Sequence, residues 1–141
     1  MSEFPQLLHT VLDTTDVRGL AEFYRKLLGL RYRPGDEPAA DGASDGAAEE
    51  VDWLVLTDVQ GRAVLAFQLV ERLERTTWPS PDVPMQLHLD FTVPDRESLD
   101  QQHSRALELG AKLLFDRTDA PDEPLYVYAD PAGHPFCIFV G

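Results

Sequence analysis

The sequence predicts an α+β fold built from two βαβββ modules, which pair as an incompletely closed eight-stranded mixed barrel with the helices outside. The main observation is an internal repeat. The dipeptide Leu-His occurs at 8–9 and again at 87–88, and Asp16 and Asp95 recur at the same offset. A single module would leave one face of its sheet bare, so the repeat indicates two modules that enclose a cleft.

The first module is predicted over residues 6–70. Its helix begins after Asp16, whose carboxylate suits an N-cap, and ends at Gly29, which suits the left-handed residue that closes a helix. Residues 34–50 are acidic and rich in Pro and Gly, so they predict a loop. Strands are predicted over Gln6–Asp13, Leu30–Arg33, Val51–Thr57 and Arg62–Val70.

The second module is predicted over residues 85–141, after a proline-rich linker at 71–84. Its helix lies between Asp95 and Gly110, with Leu99, His103, Ala106 and Leu107 on its inner face. The turn Asp-x-x-Gly at 58–61 recurs at 130–133. Strands are predicted over Met85–Val93, Lys112–Phe115, Leu125–Ala129 and Pro135–Val140. We expect residues 1–141 to form a single domain.

The composition excludes several classes of function. The formal net charge of −13 repels nucleic acid and anionic membrane surfaces, and it favours a cationic ligand if it favours any. Cys137 is the only cysteine, so no internal disulfide can form. The sequence shows neither a signal-peptide pattern nor a long apolar run, which predicts a cytoplasmic protein without a membrane partner.

Several motifs follow one another in a characteristic order: Leu8-His9-Thr10-Val11, Phe23-Tyr24, Leu27-Leu28-Gly29-Leu30, Leu65-Ala66-Phe67-Gln68, Trp78-Pro79, Gln86-Leu87-His88-Leu89-Asp90 and Asp130-Pro131-Ala132-Gly133-His134-Pro135-Phe136-Cys137. In this order they resemble the vicinal-oxygen-chelate superfamily of glyoxalases, bleomycin-resistance proteins and extradiol dioxygenases. The chain is most similar to actinobacterial glyoxalase-like domain proteins. The resemblance implies a small-molecule pocket and, as in many paired-module members, a homodimer.

The resemblance also implies where a metal would bind. By position, the four inward side chains are His9, Gln68, His88 and Cys137, where metal-dependent relatives carry two His or Gln residues with one or two Glu. None of the four is a carboxylate, so a hard cation or a non-haem iron lacks its preferred ligands. We therefore expect no metal cofactor, although Zn²⁺ could accept His9, His88 and Cys137.

Strand alternation predicts which other side chains reach the cleft. On the strand Met85–Val93, His88 and Asp90 share the cleft face, about 6.5–7 Å apart. They form a candidate catalytic acid/base pair, or they simply make the cleft polar. Cys137 is either a small buried hydrophobic residue or a reactive thiol. Trp53 and Tyr128 are candidates for stacking on a planar ligand.

Two functions remain open. The first is a binding protein that sequesters an aromatic or cationic small molecule without a Glu-dependent metal. The second is an isomerase, lyase, hydrolase or dioxygenase-like enzyme that acts on a small oxygenated substrate, either metal-independent or Zn-dependent. It would use His88, Asp90, His9 or Cys137. A Glu-dependent metalloenzyme is disfavoured by the residues at the four ligand positions.

Overall fold

The computed structural model describes residues 4–39 and 51–141, which fall in two compact units, Met1–Arg72 and Leu73–Gly141. Each unit holds one four-stranded mixed sheet and one α-helix. This confirms the predicted α+β class and the duplicated βαβββ order. The closure of the two sheets into one barrel stays a prediction, as does the single domain. Most of the predicted acidic loop lies outside the described residues.

The first unit follows the predicted order. Its helix α1 (Val17–Leu28) begins after Asp16, whose Oδ1 accepts the Gly19 N–H at 3.0 Å, and ends at Gly29, where φ is 68°. Both helix ends are as predicted. Its sheet has the order β1-β4-β3-β2, with β1 parallel to β4. The strands are β1 (Thr10–Thr14), β2 (Arg31–Tyr32), β3 (Trp53–Thr57) and β4 (Ala63–Leu69).

The core of the first unit lies between α1 and one face of this sheet. Leu20 and Tyr24 of α1 are almost completely buried, as are Leu56 of β3 and Phe67 of β4. The rings of Tyr24 and Phe67 stack with their centroids 6.1 Å apart. Burying each of these large side chains contributes about 1.5–3 kcal/mol to folding. This face of the sheet is therefore covered by the helix.

The second unit repeats the arrangement with the sheet order β5-β8-β7-β6, in which β5 and β8 are parallel. The predicted bounds of the last two strands are confirmed to the residue. The helix is also confirmed, with Asp95 as its N-cap and Gly110 as its C-cap. The elements are β5 (Leu89–Val93), α2 (Arg96–Leu109), β6 (Lys112–Arg117), β7 (Leu125–Ala129) and β8 (Pro135–Val140).

The first strand of each module starts later than predicted. The strand expected over Gln6–Asp13 is β1, and the strand expected over Met85–Val93 is β5, so His9 and His88 both precede their strands. In β5 the ladder begins at the pair Leu89 and Phe136. In β1 the ladder begins at the matching pair, Thr10 and Leu65, although the residue before Leu65 is Val64 where the second module has Pro135.

The inner face of α2 differs from the prediction at one position. Leu99 and Ala106 are fully buried, but Leu107 is 41% exposed. His103 donates or accepts a hydrogen bond between its Nδ1 and the Tyr128 hydroxyl at 2.7 Å, and its ring stacks on Tyr126. His103 is therefore a partnered histidine between helix and sheet. No helix in the described part of the chain is long and apolar enough to cross a membrane.

The turn between β7 and β8 is organised by a buried carboxylate. Asp130 is 1% exposed, and its Oδ1 accepts the backbone N–H groups of Ala132, Gly133 and His134 at 2.9–3.0 Å. The repeat-related Asp58 also accepts two backbone N–H groups, but it is more exposed. The same turn motif is thus buried in the second unit and close to solvent in the first.

This contrast predicts different costs for two matched substitutions. Asp130→Ala leaves the backbone N–H groups of Ala132 and His134 without their acceptor, whereas that of Gly133 keeps the Asp130 carbonyl, and we expect the substitution to lower the free energy of unfolding by about 2–3 kcal/mol. Asp58→Ala leaves donors that water can reach, and we expect a loss of about 1 kcal/mol or less. Urea denaturation of the two variants beside the parent chain measures both values. Equal losses would contradict the assignment.

Candidate functional site

One face of the second sheet is free of α2 and carries the candidate site. The strand register sets Arg117 beside Leu125, and Val127 beside Cys137. Asp90 pairs with Cys137 across the parallel strands. Residues on this face line a hollow of about 300 Å³. Its walls are Trp78, Met85, His88, Arg117, Leu125, Val127, Pro135 and Cys137.

The predicted linker at 71–84 supplies one wall of this hollow. It is held in a hydrogen-bonded loop: Thr77 N–H donates to the Val83 carbonyl at 2.9 Å, and Val83 N–H donates back to the Thr77 hydroxyl at 2.8 Å. Thr76 Oγ1 accepts the Trp78 N–H at 3.0 Å. These bonds fix the Trp78 backbone, so its indole is positioned as part of the site.

Two contacts anchor the same loop to the turn before β8. The Arg75 guanidinium donates to the Pro131 carbonyl at 2.9 Å. Gly133 has φ of 101°, and a Cβ built on it would lie 2.8 Å from Arg75 Cγ. Glycine is therefore required there both by the backbone conformation and by the close approach of Arg75.

An aromatic cluster stiffens the wall further. The Trp78 ring meets the Phe115 ring edge to face, with centroids 5.5 Å apart and an angle of 89°. The Arg117 guanidinium lies over the Phe115 ring, 5.9 Å from its centroid. Edge-to-face rings and a cation over a ring are both favourable arrangements. The hollow therefore has a rigid aromatic side with a cation beside it.

Three polar side chains meet at the other side of the hollow. His88 Nε2 lies 3.3 Å from Asp90 Oδ1, so the contact that strand spacing left open is made. Cys137 joins them, and the three ligating atoms all lie within 4.8 Å of one another. His88 can reach Asp90 because it precedes the strand, where its backbone is not held in the ladder.

The thiol in this cluster is kept protonated. Burial raises the pKa of Cys137 to about 11, and the charge and hydrogen bond of Asp90 add to the effect. At pH 7 a thiol with such a pKa stays protonated. A neutral thiol is a weak nucleophile, so Cys137 is suited to wall the hollow more than to attack a substrate.

The cluster also holds three side chains of types that bind a zinc ion. In a tetrahedral zinc site the ligand atoms lie about 3.3–3.7 Å apart. The His88 and Asp90 atoms are already at 3.3 Å, and Cys137 lies within 4.8 Å. Histidine, carboxylate and thiolate are all zinc ligands, and three of them leave a fourth position open. Asp90, which is not one of the four positions implied by the resemblance, supplies the carboxylate here.

The two candidate residues of the first unit, His9 and Gln68, make different contacts. His9 lies with its ring centroid 6.0 Å from that of Trp53, and its Nδ1 is buried without a hydrogen-bond partner among the described residues. Gln68 lies on the β4 face that carries Trp53, and its Nε2 donates to Asp13 Oδ1 at 3.2 Å. The expectation that His9, Gln68, His88 and Cys137 share one hollow stays a prediction.

The strand registers also refine the repeat. Val11 pairs with Ala66 in the first unit, and Asp90 pairs with Cys137 at the matching position in the second. By this register the counterpart of Cys137 is Ala66, and that of Gln68 is Phe139. The two modules therefore present different side chains at corresponding places.

Tyr128 lies on the opposite face of its sheet. It is fully buried against α2, with its hydroxyl bonded to His103 and its ring stacked on Phe136. Burial raises the pKa of Tyr128. This placement is in the core and gives no support to the expectation that Tyr128 contacts a ligand.

Sequence reasoning missed three residues of the hollow. Trp78 and Met85 fall at or near the predicted linker, and Arg117 lies past the predicted end of its strand, Phe115. The alternation of side chains along a strand could have identified Arg117, since it is two residues from Phe115 and so shares its face of the sheet. The sequence feature that could have identified Trp78 is the dipeptide Trp-Pro in an otherwise polar segment.

The protonated thiol yields a prediction about its reactivity. We expect Cys137 in the folded chain to react with iodoacetamide at pH 7 at least 10-fold more slowly than in the denatured chain, because its pKa is raised. Asp90→Asn removes the charge that helps raise that pKa, so alkylation should become faster. Mass spectrometry of timed samples measures the rates.

The matched control is Asp119→Asn, an exposed carboxylate outside the cluster. It should leave the rate unchanged. A slower reaction in Asp90→Asn would show that Asp90 activates the thiol instead.

Comparisons with known proteins place the chain in a family. A family model described as a glyoxalase-like domain matches residues 9–139. No curated protein matches the chain. A glyoxalase/bleomycin resistance protein/dioxygenase family enzyme from Burkholderia phytofirmans is similar in structure, with a TM-score of 0.62, 15% identity, and coverage of 94% of this chain and 96% of that chain.

Two fosfomycin resistance proteins named FosX share the fold. The Mesorhizobium loti protein has a TM-score of 0.63 and 16% identity, over 100% of this chain and 94% of that chain. A mutant of the Listeria monocytogenes protein, in complex with Mn(II) and 1S,2S-dihydroxypropylphosphonic acid, has a TM-score of 0.65 and 16% identity, over 98% of this chain and 93% of that chain. At such identities the likeness shows the fold alone. From the family match, the chain belongs to the glyoxalase-like domain family of the vicinal-oxygen-chelate superfamily.

Proposed function

We propose that the chain binds a small molecule with a planar, apolar body in the hollow of its second unit, without a Glu-dependent metal. The observation that supports this most is the composition of the walls. Apolar side chains and the indole of Trp78 surround about 300 Å³, a volume at the lower end of the range for ligand pockets. A few polar groups at the edge suffice to orient a ligand there.

The residues at the family's metal positions support binding over metal-dependent chemistry. Cys137 stands where metal-dependent relatives carry Glu, and its thiol is protonated at neutral pH. A hard ion such as Mn²⁺ prefers anionic oxygen ligands, and a neutral thiol does not replace one. The Mn(II) complex of the Listeria FosX mutant therefore does not transfer to these residues.

A second candidate is a zinc-dependent enzyme acting on a small oxygenated substrate. It is favoured by one observation, the convergence of His88, Asp90 and Cys137 within 4.8 Å. A zinc ion held there would have an open position for water or for a substrate oxygen. His9, which the sequence analysis offered as a further zinc ligand, lies in the first unit.

The binding proposal is tested with a neutral aromatic probe, 2-naphthamide. We expect the parent chain to bind it in isothermal titration calorimetry, and Trp78→Ala to weaken binding at least 10-fold because the aromatic wall is lost. The control Phe4→Ala removes an exposed ring outside the hollow and should change nothing. If Trp78→Ala binds the probe as the parent does, the hollow is not the binding site.

The zinc candidate is tested by metal substitution. If the cluster binds metal, Co²⁺ should give a sulfur-to-metal charge-transfer band that Cys137→Ser abolishes and Asp90→Asn weakens. Because the thiol of Cys137 is protonated beforehand, Zn²⁺ binding at neutral pH should release one proton per ion. Asp119→Asn serves as the control. No binding of either ion at micromolar concentration would remove this candidate.

A further inference from the structure

The ligand's charge can be inferred from the one cation in the wall of the hollow. Arg117 lines the hollow, and within residues 4–39 and 51–141 its guanidinium forms no ion pair and lies over the ring of Phe115. By contrast, Arg25, Arg33 and Arg96 each form an ion pair with a nearby carboxylate. The Arg117 guanidinium thus has its hydrogen-bond donors available.

The position of Arg117 separates it from the acidic side of the site. In the sheet order β5-β8-β7-β6, Arg117 lies on β6 and Cys137 on β8, with β7 between them. Their partners on β7 are Leu125 and Val127, which are two residues apart along that strand. Two strand spacings and two residues along a strand give a separation of about 12 Å between their backbones. Asp90, the carboxylate of the polar cluster, lies on β5, one strand further from Arg117 than Cys137 is.

Two carboxylates affect the Cys137 side of the hollow. Asp90 contacts His88 there, and the charges of Asp90 and Glu123 both raise the pKa of Cys137. Neither carboxylate forms an ion pair with Arg117 in the described part of the chain. An anion would be repelled at the Cys137 end, whereas at Arg117 it would meet an unpaired cation.

We infer that the ligand is an amphipathic aromatic anion, with its ring against Trp78 and its carboxylate, or a similar planar anionic group, on Arg117. The inference rests on the proposed function, since it concerns the same hollow. Its size follows from the volume: 300 Å³ would hold about ten waters. One or two fused rings with a single short anionic substituent fit that space. The guanidinium fork matches a carboxylate with two parallel hydrogen bonds.

Three probes with the same ring system test the charge: 2-naphthoate, 2-naphthamide and 2-naphthylmethylammonium. We expect the parent chain to bind the naphthoate at least 10-fold more tightly than the amide, and the ammonium most weakly. Arg117→Gln should remove the preference for naphthoate and leave amide binding within about 2-fold, because the apolar walls are intact. Arg117→Lys should keep part of the preference through its charge alone. Calorimetry at physiological salt measures all of these.

The control is Arg105→Gln, an exposed arginine on α2 outside the hollow, which should retain the parent's preference. Equal binding of naphthoate and amide, tightest binding of the ammonium, or an unchanged preference in Arg117→Gln would overturn the inference while the proposed hollow stands. Failure of all three probes to bind would instead overturn the proposed function, and the inference with it.

Discussion

The parallel pairing of β5 with β8 is the constraint on which the rest of the site depends. It sets Asp90 opposite Cys137 and, through β7, aligns Val127 and Phe115 in the same row across the sheet. The ladder begins only after Pro135, which lines the hollow but cannot donate a hydrogen bond. His88 precedes the strand and lies against Asp90.

The state of Cys137 follows from that pairing and separates the two candidate functions. A thiol that is half-buried and beside a carboxylate keeps its proton, because ionisation would place two negative charges together in a poorly solvated place. In that state the thiol forms part of the apolar wall of the hollow. A divalent cation would reverse this balance, since its charge outweighs that of Asp90 and a metal-bound thiolate needs no proton. The same three side chains thus suit a dry pocket without metal and a zinc site with it, and metal affinity decides between them.

The sequence predicted those parts of the fold that local chemistry controls, and failed where a partner strand or a loop decides. Asp16 and Gly29 marked the ends of α1 correctly, because capping depends on one side chain and one backbone conformation. The predicted start of β5 was wrong because it depends on where the pairing with β8 begins, at Phe136, 47 positions away from Leu89. Trp78 was assigned to a linker, since its place in the site is fixed by hydrogen bonds among Thr76, Thr77 and Val83 that no periodic pattern reveals. The face of β5 that carries Asp90 was predicted, as two-residue alternation holds wherever a strand has one buried side.

The net charge of the chain and the charge that lines the hollow favour ligands of opposite sign, and distance decides which of the two charges matters. A net charge of −13 suggests a cationic partner. At physiological salt, however, exposed charges beyond about 8 Å are largely screened, so a bound ligand responds mainly to the groups that line its pocket. In the hollow the nearest unpaired charge is the guanidinium of Arg117. The acidic surface then acts on the approach of an anionic ligand and not on its bound state. Added salt should speed the association of such a ligand, while the short-range pairing with Arg117 is screened much less.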